Sequence, residues 1–246
     1  MSNIVTTVED MTLIVKINRP QKMNAINDDV LADILEVFAT AEADPLIKVI
    51  ILTGTGNEVF SSGADLECLA NDAGLLAGFA DVVRSNVSKP LIVAVNGSAF
   101  GGAVEFMLLG DIVIVERGRK FSFPEVRFGF FPAAGGVLKL PKLISWSTAL
   151  DLLLSGDEIG AERIYELGLA SRLVDRGRAL EEAVRIARRI GSYSSVAVTS
   201  IKYMATMSLG NVPNEFWDVN FSNACDLINS EEVRERLSVF INRRTS

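Results

Sequence analysis

Four short apolar segments, at positions 11–17, 49–52, 91–95 and 112–115, divide the first half of the chain. They are rich in Val and Ile and end at turn residues or charges, which is typical of buried strands. Residues 28–43 instead place apolar side chains at helical spacing: Val30, Ile34, Val37, Phe38 and Ala41. This alternation predicts an α/β fold with a mainly parallel sheet that is covered on both faces.

The pattern becomes helical after about residue 142. One short strand is predicted at 171–174, and helices are predicted at 147–154, 161–167, 181–190, 196–208, 214–229 and 231–242. We therefore predict an α/β core over residues 1–195 and a helical C-terminal region over residues 196–246. The apolar side chains of that region need a surface to cover them, on the core or on a neighbouring subunit.

Composition removes several classes of chemistry. The 246 residues are 49% apolar and 22% charged, as in globular proteins, and none is histidine. The absence of histidine excludes the Ser-His-Asp and Cys-His nucleophile systems, His-ligated zinc and imidazole acid–base catalysis. Proton transfer must then fall to carboxylates, Lys, Tyr, Cys or the backbone. A net charge of -7 argues against nucleic acid as the main partner.

The sequence also carries expectations about compartment. Cys68 and Cys225 are far apart and belong to no C-x-x-C pair or metal-ligand cluster, so we expect free thiols and no metal site. Residues 1–10 lack the apolar core of a signal peptide, and no apolar run reaches the roughly 18 residues of a membrane span. We therefore expect a cytoplasmic protein without a membrane partner.

Two loops, at residues 60–66 and 96–102, each connect a predicted strand to a predicted helix and are rich in small residues. The first N–H groups of a helix have no partner inside it and lie at the positive end of its dipole. Two such donors from different loops can form an oxyanion hole, although a tight loop with a helix cap would give the first pattern equally. The glycine spacings of nucleotide-binding motifs are absent, which disfavours a hydride-transfer enzyme.

Two glutamates stand in apolar surroundings. Glu105 is the one charged residue of the predicted helix 102–109, and Glu125 follows Pro124 in a segment dense in Phe, Gly and Pro. Burial of a carboxylate raises its pKa, as general acids and bases often require. The alternatives are an exposed edge position or an ion pair with an Arg for Glu105, and a structural ion pair with Arg127 or another cation for Glu125. Phe130 and Phe131 follow in the same segment, and we expect at least one of them to line a substrate pocket, where it would favour short or flat groups.

These segments fit a known pattern when they are taken in order. Asn-Arg-Pro at 18–20 and Asn-Ala at 24–25 are followed by the two small-residue loops, by Pro-Glu at 124–125 and by Gly-Gly at 135–136. The whole chain resembles the crotonase superfamily, the enoyl-CoA hydratase/isomerase family. The resemblance implies a crotonase-type spiral of ββα units with a C-terminal helical region, assembled as a homotrimer or a dimer of trimers.

The resemblance also implies roles for particular residues. The N–H groups of Ala64 and Gly102 would hold a thioester oxygen, and Glu105 and Glu125 would occupy the two glutamate positions of hydratases. The reaction implied is reversible syn addition of water to a 2-enoyl-CoA thioester, with no metal or redox cofactor and with coenzyme A as part of the substrate. The residues implied in coenzyme A binding are Met23 and Ala25 near the adenine, and Asp65 and Leu66 beside the pantetheine.

The sequence departs from the family pattern in places. Glu67 stands where many members have Lys, and Val137 where many have Thr. Residues 135–142 also resemble the carnitinyl-CoA dehydratase branch, but no acidic residue adjoins Ala133 or Ala134 to bind a trimethylammonium group. A Δ3,Δ2-enoyl-CoA isomerase, a carnitinyl-CoA dehydratase-like enzyme and a non-catalytic CoA-ester-binding protein remain the alternatives. The presence of both glutamates favours hydration.

Overall fold

The computed structural model describes residues 2–85, 87–208, 210 and 214–244. The strands are β1 Ile4–Glu9, β2 Thr12–Ile17, β3 Val49–Gly54, β4 Val59–Ser61, β5 Leu91–Val95, β6 Ser98–Phe100, β7 Ile112–Glu116, β8 Lys120–Ser122, β9 Ile159–Gly160 and β10 Arg172–Val174. The helices are α1 Asp28–Ala43, α2 Leu66–Asn71, α3 Leu75–Arg84, α4 Gly102–Met107, α5 Gly136–Leu143, α6 Trp146–Ser155, α7 Ala161–Glu166, α8 Ala179–Gly191, α9 Ser195–Ser208, α10 Asn214–Ile228 and α11 Glu231–Arg244.

The strands form two sheets. The larger has the order β1-β2-β3-β5-β7-β10, and the smaller has the order β4-β6-β8-β9. Consecutive strand pairs divide between them: β3, β5 and β7 join the larger sheet, whereas β4, β6 and β8 join the smaller one. A helix follows β4 and β6, and a 3-10 helix, Pro124–Phe128, follows β8. This repetition confirms the spiral of ββα units.

The larger sheet is buried on both faces, as its apolar strands predict. It is parallel from β2 to β10, and every residue of β3 and β5 is buried. Side chains of one face join the main core, and those of the other face pack against α8 through Ala183, Ile186 and Ala187. The carboxyl ends of β3 and β5 lead into the small-residue loops that the sequence analysis singled out.

Helix α1 has the bounds that its apolar spacing predicts. The side chain of Asn27 caps it by accepting a hydrogen bond from the N–H of Val30 at 3.2 Å. Such a cap satisfies one of the unpaired N–H groups of the first turn. Ile34 and Phe38 are buried on the inner face.

Several strands carry no recognisable apolar run. Strand β1 has only Ile4 buried and is held by antiparallel backbone pairing with β2 at the edge of the sheet. Strands β4, β6 and β8 have three residues each, too few to show a periodicity. Their pairing comes from the tertiary arrangement, so the sequence pattern did not reveal β1, β4 or β6.

The C-terminal region is helical, with bounds within two residues of those predicted. Helix α10 packs on α3, and α11 packs on α2 and on the 3-10 helix after β8. Helix α9 has no buried residue. The division of the chain at residue 195 stays a prediction, and positions 1, 86, 209, 211–213, 245 and 246 of the two predicted regions lie outside the described residues.

Cys68 and Cys225 are half-buried free thiols. Within the described ranges, a membrane-crossing helix of sufficient length and apolarity is not found.

Candidate active site

The two small-residue loops meet. A Cβ placed on Gly63 would lie 3.1 Å from the N atom of Gly102, and a Cβ placed on Gly102 would lie 3.6 Å from the N atom of Ala64. Among the described residues, neither the Ala64 N–H nor the Gly102 N–H has an acceptor. The structure therefore brings together the two backbone donors that the sequence analysis selected, with both free to bind an oxygen atom.

The loop that carries Ala64 is anchored on both sides. Ile26 donates its N–H to the carbonyl oxygen of Gly63 and accepts from the N–H of Asp65, each at 2.8 Å. The Arg19 guanidinium forms an ion pair with Asp65 at 3.1 Å and donates to the carbonyl oxygen of Ala25 at 2.6 Å. Both side chains of the pair are largely buried, which strengthens their attraction. The Asn-Arg-Pro segment thus fixes the loop on which the Ala64 donor lies.

The four residues implied in coenzyme A binding surround this anchor. Met23 is 38% exposed and Leu66 is half-buried, whereas Ala25 and Asp65 are buried. The Asp65 carboxylate is engaged by Arg19, so its first role here is structural. Contacts of all four residues with coenzyme A stay a prediction.

Glu105 lies inside the protein. It occupies the first turn of α4, is 4% exposed, and accepts a hydrogen bond from the N–H of Gly136 at 2.7 Å. A Cβ on Gly136 would lie 3.1 Å from Glu105 Oε1, so a side chain there would crowd the carboxylate. Burial raises the pKa of Glu105 to about 7, against the lowering effects of the Gly136 N–H and the Lys139 charge. The alternative of an exposed edge position for Glu105 is therefore wrong.

Glu125 lies in the 3-10 helix after β8 and is also buried. A Cβ on Gly101 would lie 2.8 Å from Glu125 Oε1, and Gly101 has a φ of +55°, so this position suits only glycine. The Oε2 atom of Glu125 has no hydrogen-bond partner among the described residues. Burial and then the neighbouring charge of Glu105 hold the pKa of Glu125 well above its usual range.

The alternative role of Glu125 as an ion-pair partner of Arg127 is wrong. Arg127 pairs with Asp157 at 3.1 Å on the surface. Glu125 is thus left with a free carboxylate oxygen, close enough to Glu105 for the two to repel when both are ionised. A buried pair of this kind favours one ionised and one protonated member, which is the state that a base and an acid need.

The loop Gly101–Gly102 joins the two halves of the site. Gly101 makes room for Glu125, and Gly102 supplies a free N–H and begins the helix that carries Glu105. The arrangement places two buried carboxylates and two unpartnered backbone N–H groups around one region. It can add or remove a proton beside a carbonyl group whose oxygen becomes negatively charged.

Three contributors were missed by the sequence analysis. The N–H of Gly136 orients Glu105, Lys139 acts on it as a nearby charge, and Trp217 packs on the same loop. The Gly-Gly pair at 135–136 was a usable signal, because glycine lets a backbone N–H approach a carboxylate closely. Burial lowers the pKa of Lys139, and the charge of Glu105 opposes that shift. No local pattern pointed to Lys139 or Trp217.

The two phenylalanines proposed for the acyl site differ in position. Phe130 is buried in the main core, 6.4 Å from the ring of Phe128, which itself contacts Phe240 of α11 at 5.0 Å. Phe131 is half-buried at the margin of the core. Phe128 thus connects this segment to α11, and the expectation that Phe130 or Phe131 lines the acyl site stays a prediction.

The chain is similar to known proteins over nearly its whole length. The family model for enoyl-CoA hydratase/isomerase matches residues 8–246. A crotonyl-CoA hydratase of Syntrophomonas wolfei is 30% identical over 98% of this chain and 96% of its own length. A carnitinyl-CoA dehydratase of Escherichia coli K12 is 33% identical over 76% of this chain and 74% of its own length.

A solved structure supports the same relationship. The carnitinyl-CoA dehydratase of Mycobacterium avium 104 superimposes with a TM-score of 0.88 at 30% identity, covering 96% of this chain and 95% of that one. The family match extends over nearly the whole sequence, and the fold is that of the relatives. The chain therefore belongs to the enoyl-CoA hydratase/isomerase family of the crotonase superfamily.

Proposed function

We propose that this protein is an enoyl-CoA hydratase that adds water reversibly, in syn fashion, to a 2-enoyl-CoA thioester. The observation that carries the proposal is the pair of buried carboxylates, both of raised pKa, beside two unpartnered backbone N–H groups. The relatives named crotonyl-CoA hydratase and carnitinyl-CoA dehydratase support a hydro-lyase that acts on acyl-CoA thioesters. The reaction as proposed needs no metal or redox cofactor.

The two glutamates divide the proton transfers. The Gly136 N–H and the Lys139 charge favour the ionised form of Glu105, whereas the charge of Glu105 raises the pKa of Glu125. Glu105 is therefore the base that accepts a proton from water as the oxygen bonds to C3. The displaced electron pair moves to the thioester oxygen, where the N–H groups of Ala64 and Gly102 stabilise the negative charge. Protonated Glu125 then delivers its proton to C2. A proton passing from Glu105 back to Glu125, directly or through solvent, restores the starting state.

This division predicts a bell-shaped dependence of kcat/KM on pH. Activity requires Glu105 ionised and Glu125 protonated, so it should rise as pH increases through about 7 and Glu105 loses its proton. It should fall at higher pH as Glu125, whose pKa lies well above its usual value, loses its own. Initial rates measured with crotonyl-CoA from acidic to alkaline pH test this. A rate that is constant through neutral pH would contradict the assignment.

The proposed function itself is tested by turnover on short, branched and aromatic 2-enoyl-CoA esters, followed by loss of the absorbance of the conjugated thioester. The 4-trimethylammonio-2-butenoyl ester tests the carnitinyl-CoA dehydratase-like alternative, and 3-enoyl-CoA esters test the isomerase. Hydration of crotonyl-CoA supports the proposal. Turnover of 3-enoyl esters alone would favour the isomerase, and tight binding without turnover of any ester would favour a non-catalytic CoA-ester-binding protein.

We further propose that the chain forms a homotrimer or a dimer of trimers through α9. This helix is 14 residues long and buries no residue against its own chain. A surface this apolar is typical of protein–protein contacts, and a second copy of the chain is the partner we propose. The large apolar side chains that α9 exposes by half or more are Val196, Ile201, Tyr203, Met204 and Met207.

Charge substitutions on α9 should weaken this assembly. Ile201→Glu combined with Met204→Glu places two carboxylates on the exposed face and should shift sedimentation toward the 26.6 kDa monomer. Leu46→Glu is the matched control, because Leu46 is 74% exposed outside α9. A wild-type protein that sediments only as a monomer at micromolar concentration would refute the proposed oligomer.

A further inference from the structure

Helix α10 of the C-terminal region lies on the loop that orients Glu105. The side chain of Asn220 is buried and donates to the carbonyl oxygen of Ala133 at 2.5 Å. Trp217 stands three residues earlier, on the same face of the helix. A Cβ on Gly135 would lie 3.0 Å from Cη2 of Trp217, so the ring tip rests against the backbone of Gly135. Gly135 is the immediate neighbour of Gly136, which holds the Glu105 carboxylate.

Helix α3 runs alongside the site, from the Gly102 loop to the Gly135 loop. A Cβ on Gly102 would lie 2.7 Å from the ring of Phe79, so Phe79 lies beside the backbone N–H proposed to bind the thioester oxygen. One turn further along α3, Val83 lies 3.3 Å from the Cβ position of Gly135, beside Trp217. The α3 side chains therefore extend from the Gly102 donor to the neighbourhood of Trp217, over about 6 Å, the rise of four helical residues.

The Trp217 ring is held firmly in this place. It is 7% exposed, and it stacks on Phe221 with the ring centroids 5.8 Å apart and the planes at 18°. The hydrogen bond from Asn220 to Ala133 fixes the helix on which both aromatic residues lie. The part of the indole that faces Gly135 is the hydrocarbon tip, Cη2 and Cζ3, so the surface presented there is apolar.

We propose that Trp217 closes the distal end of the acyl pocket and restricts the enzyme to short, uncharged 2-enoyl groups. An acyl group whose carbonyl oxygen binds the Ala64 and Gly102 donors and whose carbons follow α3 would reach Trp217 after roughly four carbons. Further carbons would have to displace a stacked and buried ring. The inference rests on the proposed hydratase function and adds to it the length of the substrate and the residue that sets it.

The test compares kcat/KM for 2-enoyl-CoA esters of increasing length, from crotonyl to octenoyl. Wild-type protein should prefer crotonyl-CoA, and Trp217→Ala should raise the ratio of octenoyl to crotonyl turnover at least tenfold, because a few methylene contacts are worth that much in a pocket. Trp146→Ala is the matched control, since Trp146 is 67% exposed on α6 and should leave the profile unchanged. A folded Trp217→Ala protein with the wild-type profile would overturn the proposal.

A binding measurement separates this proposal from the function on which it rests. The chain has two tryptophans, so Trp146→Phe leaves Trp217 as the single indole fluorophore. Butyryl-CoA, which cannot be hydrated, should change its emission, whereas free coenzyme A should have little effect. If Trp217→Ala fails to fold, Trp217→Phe takes its place in the comparison. This smaller change should raise the ratio of octenoyl to crotonyl turnover by less. Equal emission changes with both ligands would refute the acyl-end position of Trp217, whereas failure to hydrate any enoyl ester would refute the function alone.

Discussion

Glu105→Gln and Glu125→Gln should each lower kcat for enoyl-CoA hydration by about 10²–10⁴-fold, the usual range for loss of a general acid or base. Glutamine keeps the size and most of the hydrogen-bonding capacity of glutamate but cannot exchange the proton. Coenzyme A affinity should fall much less, because neither carboxylate is implied in holding the nucleotide. The measurements are steady-state hydration of crotonyl-CoA and direct binding of butyryl-CoA.

The double substitution and a surface control sharpen this result. Two groups that act on one water molecule work as a unit, so the double variant should lose far less than the product of the single losses. Glu166→Gln is a suitable control, because this carboxylate is 63% exposed in a surface pair with Arg163. Near-normal hydration by Glu105→Gln with an inactive Glu125→Gln would refute the two-carboxylate mechanism and favour the single-base isomerase.

Gly102→Pro should reduce kcat by about 10²–10³-fold beyond any loss seen in Gly102→Ala, the range measured for removal of one oxyanion donor. Proline removes the N–H at this position, whereas alanine keeps it. Proline is well tolerated at the first residue of a helix, and Gly102 is the first residue of α4. A Cβ at this position would lie 2.7 Å from the ring of Phe79 in either variant, so the comparison between them isolates the N–H.

The readout for this pair is hydration of crotonyl-CoA together with thermal unfolding. Both variants should show a similar decrease in melting temperature from the contact with Phe79, and only proline should add the large loss of kcat. Equal kcat in the two folded variants would mean that the Gly102 N–H does not bind the thioester oxygen.

Much of the scaffold was predictable because its signals are local. The continuous apolar runs of β3 and β5 predict strands buried on both faces, and the structure buries every residue of both. The apolar spacing from 28 to 43 predicts α1 with its observed bounds. The edge strand β1 and the three-residue strands of the smaller sheet have no such signal, because backbone pairing with distant segments holds them in place.

The sequence alone is sufficient to indicate the fold family and the chemical types of the site. It identified two glutamates in apolar segments, two loops with free N–H groups, and no histidine to compete for proton transfer. Contacts between distant segments are seen only in the folded chain: the Gly136 N–H holds Glu105, Arg127 turns away from Glu125 to Asp157, and Trp217 adjoins the site. The most distant of these pairs in the sequence is Gly135 and Trp217. Burial, and with it each raised pKa, depends on which distant segments exclude water, and local sequence does not encode that.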